Sequence, residues 1–437
     1  MNSYHFAYNF LSSALVPIVL PLVWCYAGRD PQLKASLVQR MGYAHPGPET
    51  GAAGRPLIWI HAVSVGEVKA SEAVIRALDD FSSEKARLLL TTTTQTGQLF
   101  ARRHLGHRAA VRFAPLDLWW VTDRFLAAYR PDMLICMETE IWPNWIAYAH
   151  RAGIKTVFLN GRISGRSIDS YLKVRPLLSP MLEKVDAFSM ISDIDARRVV
   201  SLGAPAHRVH VNGNAKMDTL EADGSDFRID RLRRRFSLSD STPVFIAGSV
   251  RGEEADMVLE AYLRMAEKLP DLFFILAPRH IENSSRIAHL AGEKGIACQR
   301  RTELGHGGGV RRAPVLILDT IGELRDVYGI ASVVFGGASL VPLGGQNVLE
   351  AAIWGKPVLF GPYMDDFTEA RNLLEACGGG ICVENAGALV ERAVHLLTHP
   401  DDARRMGNQA RKAVLANQGA ARRHARVAVR TLSGTRL

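Results

Sequence analysis

Residues 57–78 read LIWIHAVSVGEVKASEAVIRAL. The opening run is almost wholly apolar, the pattern of a strand covered on both faces. Gly66 then permits a tight turn and close approach of a ligand. From Val68 the apolar positions recur at helical spacing, which predicts a helix over 68–78. Strand, turn and helix together form the unit of a wound α/β sheet, and this unit recurs along the chain. In the first half the strand-like runs fall at 57–61, 88–92, 111–113, 133–137, 156–160 and 188–191, with helical stretches between them such as 117–129. A polar, turn-rich segment, EADGSD at 221–226, interrupts the pattern and reads as an interdomain linker. The alternation then restarts, with runs at 244–247, 273–276, 315–318, 333–335 and 358–360 and helices such as 254–269 and 347–353. The expected fold is α/β: two Rossmann-like, doubly wound parallel sheets facing a cleft. Ligand sites are expected at the C-terminal ends of the strands.

The 437 residues are enough for two or three domains, and 47% apolar with 22% charged residues excludes disorder as the main state. Five cysteines (Cys25, Cys136, Cys298, Cys377, Cys382) are too scattered for a disulfide scaffold or a zinc finger and fit a reducing compartment. No Asp, Glu, Lys or Arg occurs before Arg29, and residues 11–27 read LSSALVPIVLPLVWCYA. This stretch is close to the length needed to span a bilayer. Arg29, Lys34 and Arg40 follow it, which keeps the rest of the chain on the cytoplasmic side. Residues 1–28 therefore read as a membrane anchor, with a buried or amphipathic first helix as the alternative. The net charge of +9 is concentrated at the other end: residues 401–437 carry nine Lys or Arg and two Asp, a net +7. This basic helix or tail reads either as a solvated face or as a second contact with anionic lipid. The expected domains are 1–28, 29–220, a linker at 221–240, 241–400, and 401–437.

The loops after the strands carry the candidate chemistry. In HAVSVGEVKASE (61–72), Glu67 opens the helix. There it is either a carboxylate stabilised by the helix dipole or a general base. METEIWPNW (137–145) places Glu138 and Glu140 two residues apart beside Trp142 and Trp145, which are either core or a sugar-packing wall. NGRISGRS (160–167) sets Arg162 and Arg166 four apart, on one face if the segment is helical. GNAKMD (213–218) puts Lys216 just before the linker, within reach of a phosphate. In the second half, APRH (277–280) offers Arg279 at a strand end, where a guanidinium matches phosphate oxygens. IGE (321–323) offers main-chain N–H groups at Gly322. FGGASLVPLGGQNVLEAA (335–352) is a glycine-bracketed loop running into a helix, with Asn347 as its cap and Glu350 one turn in. It is neither a Walker A loop nor a dinucleotide fingerprint. The chain shows no nucleophile elbow, and the spacing of His104 and His107 gives no metal signature.

HAVSVGE, METEIWPNW, NGRIS, GN-K-D, APRH and GG-SLV--GG-N-LE occur in this order, and with them the chain resembles the 3-deoxy-D-manno-octulosonic acid (Kdo) transferases of lipopolysaccharide synthesis. The resemblance runs from about residue 40 to 384 and includes the apolar N-terminal segment. It implies a two-domain GT-B glycosyltransferase at the cytoplasmic side of the inner membrane, needing neither metal nor cofactor. The reaction it implies is transfer of Kdo from CMP-Kdo to lipid IVA with release of CMP, and no nucleic-acid partner. By the same resemblance Glu67 matches the proton acceptor, and Glu138 and Lys216 match transition-state positions. Pro278, Arg279, Ile321, Gly322, Glu323, Asn347, Val348, Leu349 and Glu350 match CMP contacts. Gln346, Ala351 and the 248–254 loop GSVRGEE depart from the usual family pattern, though Ser249 and Glu253 match in type. Two other readings belong to the same residues: a membrane-associated transferase using a UDP-sugar, and a non-catalytic nucleotide-binding module.

Overall fold

Fourteen strands form among the described residues. Seven belong to the first half: β1 (Leu57–His61), β2 (Arg87–Thr92), β3 (Ala110–Phe113), β4 (Met133–Met137), β5 (Lys155–Gly161), β6 (Ala187–Met190) and β7 (Val209–Val211). Seven belong to the second: β8 (Val244–Val250), β9 (Phe273–Pro278), β10 (Cys298–Arg300), β11 (Val315–Ile317), β12 (Val333–Gly336), β13 (Val358–Phe360) and β14 (Gly380–Cys382). The structure, a computed structural model, describes residues 3–28, 31–43, 54–81, 86–220, 226–304 and 310–434. Each half makes one all-parallel sheet, with strand orders β3-β2-β1-β4-β5-β6-β7 and β10-β11-β9-β8-β12-β13-β14. Both orders reverse direction beside their first strand, between β1 and β4 and between β8 and β12. Those are the topological switch points where open α/β sheets bind ligands.

Every strand anticipated from an apolar run is present. The three that were not, β7, β10 and β14, are three-residue edge strands only partly buried, so their sequences VHV, CQR and GIC carry no continuous apolar signal. In β1, β2 and β4 successive side chains enter opposite layers. Ile58, Ile60, Leu88, Leu90, Met133 and Ile135 pack on one side of the sheet, and Leu57, Trp59, Leu89, Leu134 and Cys136 on the other. Burial pushes the Cys136 thiol far up, which leaves it no thiolate chemistry.

The chain divides into two compact units, Met1–Thr219 with Asn417–Leu437, and Leu220–Ala416. This changes the expected boundaries in two places. The segment 401–437 is not one tail: helix Pro400–Ala416 belongs to the second unit, and helix Ala420–Ser433 returns to the first. There Ala421, Ala425, Val427 and Ala428 join the core beside helix Val65–Phe81, so one face of the expected lipid-binding tail is packed against protein. Half of the expected linker at 221–240 is helix Asp226–Arg235, and residues 221–225 lie outside the described residues.

The first helix, Ser3–Ala27, is long and apolar enough to cross a membrane by length and composition. It is also built inside out. Phe6, Phe10, Ile18 and Leu22 are each more than 60% exposed, whereas His5 and Asn9 are buried. His5 Nε2 and Asn144 Oδ1 share a hydrogen bond at 2.9 Å, and the Tyr8 hydroxyl donates to Asp117 Oδ2 at 2.8 Å. Beyond the helix, Leu116 N–H donates to the Arg40 carbonyl at 2.8 Å, and the Arg40 guanidinium donates to the Thr93 carbonyl. The N-terminal part of the apolar helix is thus bonded to the body of the first unit through His5 and Tyr8. Arg29, expected to flank the helix on its polar side, lies outside the described residues.

Candidate active site

Glu67 stands in the first turn of helix Val65–Phe81, directly after β1. Ser64 starts this helix, its carbonyl accepting from Val68 N–H at 2.9 Å. Glu67 reaches back to the same turn: Oε2 accepts from Val63 N–H at 2.8 Å and Oε1 from the Ser64 hydroxyl at 3.2 Å. This is a close variant of the capping box, and Ser64-x-x-Glu67 was legible in the sequence. The carboxylate is buried at 8% exposure. Burial pushes it up to about 7, opposed by the bond from Val63 and reinforced by the charges of Glu138 and Glu140. A carboxyl group that titrates near neutrality is suited to accept a proton from a sugar hydroxyl. The capping role and the general-base role are therefore compatible in one side chain.

Glu138 and Glu140 follow β4, across the switch point from β1. Burial pushes Glu140 up as well, with the Glu138 charge adding to it. Glu138 adopts a left-handed backbone (φ +56°), as does Asn160 (φ +55°) at the end of neighbouring β5. Non-glycine residues held in that region cost about 1–3 kcal/mol each and concentrate at functional sites. Both positions do identifiable work. The Glu138 turn points its carboxylate at Lys216, whose Nζ donates to Oε1 at 2.5 Å. Asn160 Oδ1 accepts from Ala215 N–H at 2.8 Å and so fixes the turn that carries Lys216. The lysine also borders Gly66, where an added Cβ would lie 3.9 Å from Nζ. The three residues matched from separate motifs, Glu67, Glu138 and Lys216, therefore share one site on this unit.

What holds Lys216 comes from the far end of the chain. Asp218 accepts from Ala421 N–H at 2.6 Å and from Gly419 N–H. His424 Nε2 lies 2.9 Å from the Gly213 carbonyl and its Nδ1 lies 2.6 Å from Ser189 Oγ. Gln418 donates to the Met217 carbonyl at 3.2 Å, and Arg423 to the Asn212 carbonyl at 2.8 Å. Burial pushes His424 down to about 4, so it sits as a neutral ring at physiological pH. None of these partners was foreseen, because they lie about 200 positions away in sequence. Trp145 is core, packed 5.0 Å from Trp59, while Trp142 is only half-buried. Arg162 precedes helix Gly165–Lys173, which is capped by Ser164, so it does not share a helical face with Arg166. The Arg166 side chain lies outside the described residues.

On the second unit the expected nucleotide contacts gather along the C-terminal edge of the sheet. Pro278 ends β9, and Arg279 N–H donates to the Val250 carbonyl at 2.9 Å while its side chain is exposed. The turn after adjacent β11 presents Ile321, 84% exposed, and Gly322 in the left-handed region (φ +90°). Glu323 is already engaged: Oε2 accepts from the Thr320 hydroxyl at 2.6 Å and Oε1 from Arg301 at 2.9 Å. Burial alone would raise this carboxyl, but the Thr320 bond and the Arg301 charge outweigh it and hold it below the usual range. Main-chain groups are what remains there for a ligand. After β12, the Asn347 side chain accepts from Leu349 N–H at 3.3 Å as expected of a cap, though helix Leu349–Ala352 is only four residues long.

The organiser of this edge is Glu254, which the sequence reading passed over. Its carboxylate crosses the β8–β12 switch point and accepts from Ala338 N–H at 2.5 Å and from Ser339 and Leu340 N–H at 2.9 Å each. It is fully buried, and that burial raises its carboxyl above the ordinary value. The glycines let the two loops touch: a Cβ on Gly337 would lie 2.8 Å from both Val250 N and the Gly248 carbonyl.

The family model described as 3-deoxy-D-manno-octulosonic-acid transferase (kdotransferase) matches residues 35–219, the stretch that carries Glu67, Glu138 and Lys216. The chain is 31% identical over 426 residues to the 3-deoxy-D-manno-octulosonic acid transferase of Haemophilus influenzae, covering 95% of this chain and 97% of that one. The chain belongs to the Kdo transferase family. It is accordingly a glycosyltransferase. The Bordetella pertussis member is 30% identical over 416 residues, covering 92% of this chain and 94% of that one. Among solved structures, the UDP-GlcNAc 2-epimerase of Neisseria meningitidis covers 87% of this chain and 100% of its own, at TM-score 0.59 and 14% identity. A glycosyltransferase of Rickettsia africae covers 87% and 98%, at TM-score 0.57 and 14% identity. These likenesses establish the GT-B-like fold that the family implies.

Proposed function

We propose that this chain transfers Kdo from CMP-Kdo to the lipid A precursor lipid IVA, releasing CMP, at the cytoplasmic side of the inner membrane. The observation that carries the reading is the cluster of Glu67, Glu138 and Lys216 at the β1–β4 switch point, within a family member. Glu67 accepts the proton of an acceptor hydroxyl. The hydroxyl oxygen then forms a bond to the anomeric carbon of Kdo as the bond from that carbon to the CMP phosphate breaks. The departing electron pair stays on the phosphate, where cationic side chains oppose the developing charge. Lys216, oriented by Glu138, is such a cation on the first unit. Considered by itself, the second unit offers exposed Arg279 as a cation suited to a nucleotide phosphate. The 321–323 turn and the Asn347–Glu350 segment supply main-chain donors and a carboxylate suited to phosphate and ribose hydroxyls respectively. The apolar outer face of helix Ser3–Ala27 supports residence at a membrane, where the lipid acceptor is found.

The test is mass spectrometry of lipid IVA incubated with the protein and CMP-Kdo. The expected result is a gain of one or more Kdo masses with stoichiometric CMP. Consumption of a UDP-sugar in place of CMP-Kdo would overturn the donor assignment, and no glycolipid product with any donor would overturn the reaction.

A further inference from the structure

Between helix Ser3–Ala27 and the body of the first unit lies an apolar groove of about 450 Å³. One wall is a single helix face running from Tyr8 through Val16 to Val23, and the other includes Leu37, Leu116 and Leu118. Its volume falls within the range of small-ligand sites, about 300–1,000 Å³. The fifteen helical rises from Tyr8 to Val23 extend about 22 Å at 1.5 Å each. One leaflet of the hydrocarbon core is about 15 Å deep. The groove is therefore long enough for one acyl chain laid along it.

The two ends of the groove differ. One end is closed by polar groups, the Tyr8 hydroxyl bonded to Asp117 and the half-buried ring of Trp142. Trp142 sits two residues after Glu140 and four after Glu138, and its ring meets His61 edge-on at 6.5 Å. His61 ends β1, the strand whose next turn carries Glu67. An amphiphile with its chain in the groove thus has its polar head beside the loop that carries Glu138 and Glu140. The helix forming the wall turns its other face outward as exposed apolar surface, so the groove is continuous with whatever hydrocarbon surrounds that helix. A bulk phospholipid has no need of a polar end at a glycosyl-transfer site, whereas the glycolipid acceptor does.

We infer that this groove holds one acyl chain of the glycolipid acceptor and sets the position of its sugar against Glu67. The inference rests on the proposed transfer to a lipid acceptor and adds where that lipid's chain goes. The groove confers register more than affinity, since the chain exchanges one apolar surrounding for another.

The experiment uses the full chain in vesicles of phosphatidylethanolamine and phosphatidylglycerol, with lipid IVA carrying a photoreactive diazirine on an acyl chain. Label is expected on peptides containing Leu116 and residues 12–23, and unlabelled lipid IVA should displace it. A phospholipid bearing the same diazirine should label these peptides weakly. Leu116→Trp, which fills the groove from the body side, and Val19→Trp, which fills it from the helix side, should each cut this labelling at least tenfold. Each should also raise KM for lipid IVA at least tenfold, with kcat and KM for CMP-Kdo unchanged. Strong phospholipid labelling that lipid IVA does not displace would overturn the inference, as would an unchanged KM in whichever variant folds. Labelling and displacement are read without turnover, so a wild type that failed to use CMP-Kdo would sink the functional reading while the groove was still decided.

Discussion

Replacing Glu67 with Gln separates what this residue costs from what it does. The substitution keeps the shape and an acceptor for Val63 N–H, and removes only the charge. In the folded chain Glu67 titrates at about 7 against an ordinary 4.5. Between those values the folded state holds more protons than the unfolded one, so this residue's contribution to stability is greatest below pH 4.5. It declines as pH rises and is lost once pH passes about 7. Above neutrality the ionised carboxylate costs on the order of 3 kcal/mol, and about 2 kcal/mol of that accrues between pH 5.5 and 8. The stability of Glu67→Gln relative to wild type should therefore improve by about 2 kcal/mol from pH 5.5 to 8. For a unit of this size that corresponds to about 4–8 °C in melting temperature. Activity should move the opposite way, with transfer falling about 10²–10⁴-fold in the variant at pH 8. Wild-type transfer should fall about tenfold from pH 8 to 6 as the base is protonated. Glu138→Gln should carry this acid limb to lower pH, because it removes a like charge that raises Glu67. The assays are paired thermal melts and initial rates across that pH range. A stability difference independent of pH, or more than half of the activity retained in Glu67→Gln, would refute the assignment of a perturbed, functioning base.

Lys216→Met should reduce transfer by about 10²–10³-fold while CMP binding is kept, checked by rates beside calorimetry. Arg279→Ala should weaken CMP affinity by about one to two decades, because a charge-assisted phosphate contact is lost, and unchanged calorimetry would contradict that contact. Asp218→Ala should lower stability by about 1–3 kcal/mol by orphaning the N–H groups of Gly419 and Ala421; it should depress kcat more than either KM, since it loosens the turn carrying Lys216. Glu254→Ala leaves three main-chain donors without their acceptor and should cost about 3 kcal/mol or more, seen in melts, together with weaker CMP binding and no direct effect on the acceptor site.

The wound sheets were legible because their central strands are covered on both faces and must be continuously apolar. Edge strands such as Cys298–Arg300 escape that requirement and left no trace in the pattern. Glu67 was legible for a local reason, a carboxylate one turn into a helix after a buried strand. The arrangement around Lys216 was not, because local sequence cannot show that Asp218 and Gly213 bind residues 419–424. Glu254 was passed over in a similar way: a glutamate opening a helix looks solvated until its loop is seen folded against Ala338–Leu340. The first helix is the reverse case. Its hydropathy was plain, but the bonding of His5 and Tyr8 beneath it depends on Asn144 and Asp117, more than a hundred residues on.

The late arrival of helix Ala420–Ser433 has a consequence for synthesis on the ribosome. The second unit is contiguous in sequence and can close as soon as it emerges. The first cannot, although its strands emerge earlier, because part of its core is supplied by Ala421, Ala425, Val427 and Ala428. At about 5–20 residues per second, the roughly 200 intervening residues take on the order of 10–40 s. Through that interval the nascent first unit exposes the apolar face of helix Val65–Phe81 and depends on chaperones or on the membrane for cover. A chain cut before residue 420 then keeps Glu67, Glu138 and Lys216 but loses the Ala421 N–H from Asp218 and His424 from Gly213, and it leaves open the core face that Ala421, Ala425, Val427 and Ala428 cover.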